Sequence, residues 1–190
     1  MQAVAAWPIA VYTKVMLKLS ASLKNLNVVS LRAGGSVGLA TEPIINPHNL
    51  KIIGWWCKRP GSPKPSVLLQ DDIRQISSEG IAINDEDELA DPSDLVRHKE
   101  ILEINFELPG KLVKTKRSKL GKVSDYSYND GLFVQKLYVE RPITKVFSAD
   151  DTLIIDRTQI LEVTDHHILV KHVDVKETES ELSRAALPAA

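Results

Sequence analysis

The chain has 190 residues, of which 43% are hydrophobic and 26% are charged, and its formal net charge is −1. This composition is typical of a globular chain with enough length for one large or two small domains. The nearly neutral charge argues against a dedicated nucleic-acid binder, and the single cysteine, Cys57, excludes an intramolecular disulfide.

The first residues of the chain are mildly apolar but lack the pattern of a targeting segment. No basic leader precedes them, as it would in a signal peptide. Lys14 and Lys18 interrupt the apolar run before it reaches the roughly 20 residues that a membrane span needs. We therefore predict a cytoplasmic protein without membrane contact. Residues 1–16 are interpreted as an extension outside the fold or as a mis-called start, and removal of residues 1–15 should leave the melting temperature nearly unchanged.

Two later stretches have the same shape. Residues 37–45 read Val-Gly-Leu-Ala-Thr-Glu-Pro-Ile-Ile, and residues 120–128 read Leu-Gly-Lys-Val-Ser-Asp-Tyr-Ser-Tyr. Turn-forming residues then lead into a second apolar run, at 50–57 in one copy and at 132–139 in the other. This order predicts one β-hairpin in each copy.

The likeness continues beyond the hairpins. After a polar or proline-rich loop, residues 67–76 parallel residues 153–163, and short closing strands are predicted at 81–83 and 168–170. Matched segments in the same order and at similar separations rarely arise by chance. They indicate that the chain contains two copies of one unit.

A charge run and a short helix are predicted between the two copies. The run at residues 84–89, Asn-Asp-Glu-Asp-Glu-Leu, is interpreted as a solvated linker, with a calcium or basic-partner site as the alternative. Asp91 is a good N-cap residue and Pro92 suits the first helical position, which predicts a helix over residues 92–102.

The predicted helix has one narrow apolar side. Leu95, Lys99 and Leu102 fall on that side, and we expect His98 and Glu100 to be exposed. The second copy then opens at residues 104–108, Ile-Asn-Phe-Glu-Leu, whose alternation predicts a strand.

Residues 111–122 contain six cations and no acidic residue, which makes them the one strongly basic stretch of the chain. In one interpretation, lysines keep an exposed strand and turn soluble and unpaired. In the other, the stretch contacts phosphates or an acidic partner, although no aromatic residues are interleaved with the lysines. Because no apolar residue interrupts residues 114–119, we expect a turn around Arg117 and Ser118. The candidate contact residues are Lys114, Lys116, Arg117, Lys119 and Lys122.

Residues with the chemistry for catalysis or metal binding do not form a recognisable motif. The sequence has no Gly-x-Ser-x-Gly elbow, glycine-rich phosphate loop or His-Glu-x-x-His pattern. His166 and His167 fall in a predicted turn, and strand alternation sends His167 and His172 to opposite faces, so a metal site is not expected. Cys57 follows two tryptophans and is predicted to be packed rather than reactive. We expect no catalytic residue, no cofactor and no metal.

The order of features in the second copy resembles the PRC-barrel family. The resemblance is carried by a lead-in strand, Gly-Lys-Val-Ser-Asp at 121–125, a turn, an apolar strand, a variable loop, Leu-Ile-Ile-Asp-Arg-Thr-Gln-Ile at 153–160 and a terminal strand. Residues 28–83 match less well, because Leu-Ala-Thr-Glu at 39–42 replaces the usual Lys-Val-x-Asp. The resemblance implies a small closed β-barrel like those of the photosynthetic reaction-centre H subunit and the ribosome maturation factor RimM. Such barrels dock on other macromolecules and are not known for catalysis.

These observations predict an all-β protein made of two small PRC-type β-barrels in tandem. The predicted parts are the extension at 1–16, a first barrel at 17–90, a connecting helix at 91–104, a second barrel at 105–175 and a flexible tail at 176–190. The predicted function is a non-enzymatic interaction module or adaptor with a protein partner. The alternative is an RNA-processing or ribosome-assembly factor similar in role to RimM, which would bind RNA or a ribosomal particle. A third class, an enzyme acting at the interface of the barrels, has no residue that supports it.

Overall fold

The computed structural model describes residues 16–141 and 152–171. This part of the chain is mostly β-strand, as predicted, and its strands form two sheets of seven strands each. In the described ranges, no helix is both long and apolar enough to span a membrane. The predictions for residues 1–15, for His172 and for the tail at 176–190 lie outside the described residues.

The chain enters the first sheet after a short strand, β1 (Lys18–Leu19), and a 3₁₀ turn at Ser20–Leu23. The first sheet has the order β6-β7-β2-β3-β4-β5-β8. Its neighbours are antiparallel except for β2 and β7, which are parallel. Its strands are β2 (Leu26–Ser30), β3 (Gly35–Asn46), β4 (Lys51–Lys58), β5 (Pro65–Leu69), β6 (Ile73–Ile76), β7 (Ile81–Ile83) and β8 (Leu89–Ala90).

The second sheet has the order β12-β11-β10-β9-β14-β13, and β1 joins it beside β10. Here the parallel pair is β9 and β14. Strand for strand, this order is the same as β5-β4-β3-β2-β7-β6 in the first sheet. The strands are β9 (Leu112–Lys114), β10 (Lys119–Tyr128), β11 (Val134–Glu140), β12 (Thr152–Asp156), β13 (Ile160–Val163) and β14 (His167–Val170).

The predicted hairpins are confirmed as the antiparallel pairs β3–β4 and β10–β11. The segments after them also correspond, because a 3₁₀ turn separates β5 from β6 at Gln70–Asp72 and β12 from β13 at Arg157–Gln159. In the second turn, the Asp156 carboxylate accepts from Thr158 N, while Gln159 Oε1 accepts from Asp156 N. This reciprocal capping box fixes the start of the turn.

Neither sheet closes on itself within the described residues. The outermost strands of the first sheet, β6 and β8, do not pair with each other, and nor do β12 and β13 in the second. Register shifts in β3–β4 and β10–β11 are typical of β-bulges, which bend and curl a sheet. The closed barrels implied by the resemblance are therefore observed only as curled, open sheets. Buried residues from both sheets form one apolar cluster. The apolar face of each sheet is therefore buried against the other sheet, although neither sheet closes on itself.

The two sheets meet at their hairpin turns. Leu50 and Leu132 both have left-handed backbones, with φ of 51° and 60°. Ile52 N donates to Leu132 O at 2.8 Å, and Val134 N donates to Leu50 O at 3.0 Å. This reciprocal pair of hydrogen bonds relates the two hairpins in an approximately twofold manner.

The segment before β2 contacts the second sheet, although the sequence places it in the first unit. Lys18 and Leu19 pair with β10. Ser20 Oγ donates to the Asp125 carboxylate, and Ser22 Oγ lies 2.8 Å from Tyr128 Oη. The chain therefore crosses between the sheets before the first sheet begins.

The predicted helix over residues 92–102 is interrupted. Asp91 accepts from Ser93 N at 2.9 Å, as expected of an N-cap, but 3₁₀ turns at Pro92–Asp94 and Val96–His98 precede α1 (Lys99–Ile104). Leu102 packs with Ile44 and Val67 on the first sheet. Lys99 is exposed beside Glu103 instead of lying on the packed side, because a charged amine is better solvated in water.

Two further sequence predictions near this helix are wrong. Residues 104–108 form no strand, because Asn105 has a left-handed φ of 46° that ends α1. Phe106 and Leu108 are nevertheless buried. The alternation of apolar and polar residues therefore indicates which side chains are buried, but these residues do not pair as a strand. The acidic run is also more than a solvated linker, since it contains a 3₁₀ turn at Glu86–Glu88 and leads into β8, which pairs with β5.

Candidate interaction site

The five candidate contact residues lie on one hairpin, formed by β9 and β10. Lys114 ends β9 and Lys119 begins β10, so residues 115–118 form the turn that the sequence predicts around Arg117 and Ser118. Lys122 lies further along β10. We call residues 111–122 the basic hairpin.

A threonine holds the turn of the basic hairpin. Thr115 N donates to Ser118 O at 2.8 Å. Its hydroxyl oxygen accepts from Arg117 N at 3.2 Å and from Ser118 N at 3.1 Å. Such hydroxyl-to-backbone bonds are a common way to fix a tight turn. The cations therefore project from an ordered turn.

The cations of this turn are largely exposed. Lys114 is half-buried, whereas Lys116, Arg117, Lys119 and Lys122 are exposed. Within residues 16–141 and 152–171, none of the five side chains forms an ion pair or a hydrogen bond.

Lys111 has a different, structural environment at the base of the basic hairpin. Its Nζ donates to Asp165 O at 2.6 Å and lies 4.4 Å from the centre of the Phe106 ring. A cation above an aromatic ring is stabilised by the ring's electron density. Lys111 therefore ties the hairpin to the chain before β14, while Lys116, Arg117, Lys119 and Lys122 are exposed.

The first sheet has a matching hairpin between β2 and β3. Buried Val28 pairs in parallel with Ile81, just as buried Val113 pairs with Ile168. Two residues after each of these valines lies a hydroxyl residue that holds the turn. In the first sheet this is Ser30, whose Oγ accepts from Ala33 N at 3.1 Å.

Both turns contain an arginine two residues after the hydroxyl residue, but the arginines have different neighbours. The Arg32 guanidinium forms an ion pair with the Asp85 carboxylate. The hydrogen bond from Arg32 holds the pKa of the Asp85 carboxyl below its usual value. In return, Asp85 raises the pKa of Arg32, and the negative charges of Asp87 and Glu86 raise it to a smaller extent. Arg117 has no such carboxylate among the described residues. The first hairpin is thus neutralised by its own chain, whereas no carboxylate within residues 16–141 and 152–171 pairs with the cations of the basic hairpin.

A cavity of about 240 Å³ is lined by the first sheet, by α1 with the segment that follows it, and by β10 of the second sheet. Its walls are both polar and apolar, and the Lys24–Glu42 ion pair, at 2.9 Å, lies among the lining residues. Apolar walls include Ile44, Trp56, Leu102, Phe106 and Tyr126. Sequence reasoning missed this cavity because its walls come from separate parts of the chain.

The remaining candidates have structural surroundings. Cys57 is buried, as predicted, and burial raises the pKa of its thiol to about 12. His167 Nδ1 lies 3.0 Å from Thr164 Oγ1, across the turn before β14. Among the described residues, no three metal-ligating side chains gather into a group.

The two hairpins differ in how well the sequence reveals them. The cations of the basic hairpin are close together in the chain, so their clustering was predicted. The ion pair of the first hairpin joins residues 53 positions apart, and the only local signal was the acidic run with its basic-partner alternative.

No family model matches the chain, and neither does any curated protein.

Proposed function

We propose that the protein is a non-enzymatic interaction module of the PRC-barrel type that docks on another macromolecule through the basic hairpin. In this proposal, residues 17–90 and 105–175 are the two PRC-like units and residues 91–104 connect them. The identical strand order of the two sheets supports the duplication. This duplication does not depend on closure of either sheet.

The observation that carries the proposal concerns the exposed cations on the ordered turn of the basic hairpin. No acidic side chain among the described residues pairs with them. Like charges close together repel each other, and an anionic partner relieves that repulsion. Exposed complementary charges also accelerate encounter and orient the partner. A hairpin of this kind suits docking on an acidic surface.

A second candidate function is an RNA-processing or ribosome-assembly role. It is favoured by the position of the cations at a single turn, where they can face a phosphate backbone together. Each phosphate that they neutralise would release counterions, so binding would weaken steeply with salt. The partner would be RNA or a ribosomal particle.

Co-purification with a charge-reversed variant tests the proposal. We expect Lys116→Glu, Arg117→Glu and Lys119→Glu together to abolish retention of the partner at low salt. The melting temperature should stay nearly unchanged, because all three side chains are exposed. A matched control reverses three exposed cations elsewhere, with Lys58→Glu, Lys64→Glu and Arg97→Glu, and should keep the partner.

The identity of the retained material distinguishes the two candidates. A protein that is lost from the reversed variant and kept by the control supports the adaptor. Ribosomal RNA with the same behaviour supports the second candidate. Equal retention by both variants would contradict docking through the basic hairpin.

A further inference from the structure

The first hairpin shows how a turn of this fold holds an acidic segment. After β7 the chain runs past the turn, where Ser30 Oγ and Arg32 N both donate to Asn84 O, at 3.2 and 3.0 Å. The next residue, Asp85, places its carboxylate against the Arg32 guanidinium. Backbone hydrogen bonds thus align the acidic segment, and the ion pair neutralises the turn.

The corresponding part of the second unit has a different sequence. Counting from the matching residues Ile81 and Ile168, Lys171 corresponds to Asn84, and residues 172–175 correspond to 85–88. Residues 85–88 read Asp-Glu-Asp-Glu, whereas residues 172–175 read His-Val-Asp-Val. The second unit therefore has one acidic residue in place of four, and the exposed Lys171 adds a cation.

From this difference we infer that the basic hairpin binds an acidic polypeptide segment of another molecule, as the first hairpin binds Asn84 and Asp85 of its own chain. The ligand is a short extended segment with several Asp or Glu residues. Arg117 receives a carboxylate in the way that Arg32 does, and Lys116 and Lys119 flank it. This inference rests on the proposed docking function and specifies its partner.

An acidic peptide fits these observations better than RNA does. In the part of the chain that the structure describes, the anion held beside such a turn is a carboxylate, on Asp85. Residues 111–122 contain no aromatic side chain on which a base could stack.

Fluorescence anisotropy with the full chain tests the inference. The probe is a labelled, end-capped peptide with the sequence of residues 84–90, Asn-Asp-Glu-Asp-Glu-Leu-Ala. One comparison peptide replaces each Asp with Asn and each Glu with Gln, and a pentauridylate supplies a matched number of phosphodiester charges. We expect the acidic peptide to bind at low salt and more weakly as salt is added, and the amide peptide not to bind.

Variants locate the binding to the basic hairpin. Lys116→Ser with Arg117→Gln should weaken peptide binding roughly two- to thirtyfold, the range expected from losing two exposed ion pairs. Lys58→Ser with Arg97→Gln removes the same charge elsewhere and should leave the affinity unchanged. Arg32→Gln should also have no effect, because the probe does not need the first hairpin. Thermal melting checks that each variant is folded.

The outcomes separate this inference from the docking proposal. Equal binding of the acidic and amide peptides, or full affinity in the hairpin variant, would overturn the inference. Hairpin-dependent binding of the pentauridylate without the peptide would overturn it too, but would leave docking through the basic hairpin intact. If neither probe binds through the hairpin and the charge-reversed variant retains its partner, both proposals fail.

Discussion

Gly54 lies in β4 at a point where the neighbouring strand leaves no room for a side chain. A Cβ atom there would lie 2.4 Å from Leu68 O and 3.2 Å from Leu69 Cα. Both atoms belong to the backbone of β5, so the strand itself would have to move. Glycine is therefore required here by close packing of strands, although an isolated glycine in an apolar run gives only a weak signal in the sequence.

Replacing Gly54 with alanine should destabilise the protein. We expect Gly54→Ala to lower the free energy of unfolding by about 1–3 kcal/mol, the usual cost of overpacking a close-packed site. Gly35→Ala is the matched control, because no atom lies within 4 Å of its added Cβ, and its effect should stay within about 0.5 kcal/mol. Urea denaturation measures both values. Equal stability of the two variants would contradict the close approach of β4 and β5.

Backbone hydrogen bonds join the hairpin turns of the two sheets. Arg157, at the 3₁₀ turn after β12, binds both turns at once. Its Nη1 donates to Val134 O at 3.1 Å, and its Nη2 donates to Asn49 O at 2.6 Å. The guanidinium also lies 5.1 Å from the centre of the Phe133 ring. The planar group therefore connects one turn to the other.

The geometry of Arg157 cannot be reproduced by lysine. We expect Arg157→Lys to lower the free energy of unfolding by about 1.5–3 kcal/mol, the range for lost hydrogen bonds to a charged group. Arg97→Lys, at an exposed position, should change it by less than about 0.5 kcal/mol. Guanidinium denaturation of both variants provides the comparison. A fully stable Arg157→Lys protein would show that this contact does not stabilise the joined turns.

At the scale of the whole molecule, the two sheets share one apolar core. The cluster of buried residues includes Leu23, Val28 and Trp55 from the first half and Tyr126, Val139 and Ile168 from the second. Units of about 70 residues bury limited apolar area when they are alone. Contact between the sheets therefore supplies burial that neither open sheet obtains alone.

The shared core predicts that the halves depend on each other. Expressed separately, residues 16–104 and 105–171 should each lack a cooperative thermal transition, because the apolar face of each sheet would be exposed to water. The full chain should melt in one cooperative transition. Circular dichroism measures the cooperativity of each thermal transition, and binding of an apolar dye measures the exposed apolar surface. A sharp transition in either isolated half would contradict a shared core and favour independent barrels.

The sequence by itself determined the features that depend on neighbouring residues. The two hairpins follow from apolar runs separated by turn residues, and the exposed turn of the basic hairpin follows from its uninterrupted polar residues. The burial of Phe106 and Leu108 was also visible as alternation, but the strand predicted from it was not formed. Pairing needs a partner strand, and local alternation does not specify one.

Only the tertiary structure decided the features that join distant parts of the chain. These are the open edges of the sheets, the reciprocal bonds from Ile52 N to Leu132 O and from Val134 N to Leu50 O, and the Arg32–Asp85 ion pair. For the candidate site, the sequence located the cations, whereas the structure revealed a second hairpin with its charge already neutralised. The physical reason is that such contacts depend on how the two sheets pack, and periodicity within one segment carries no information about that packing.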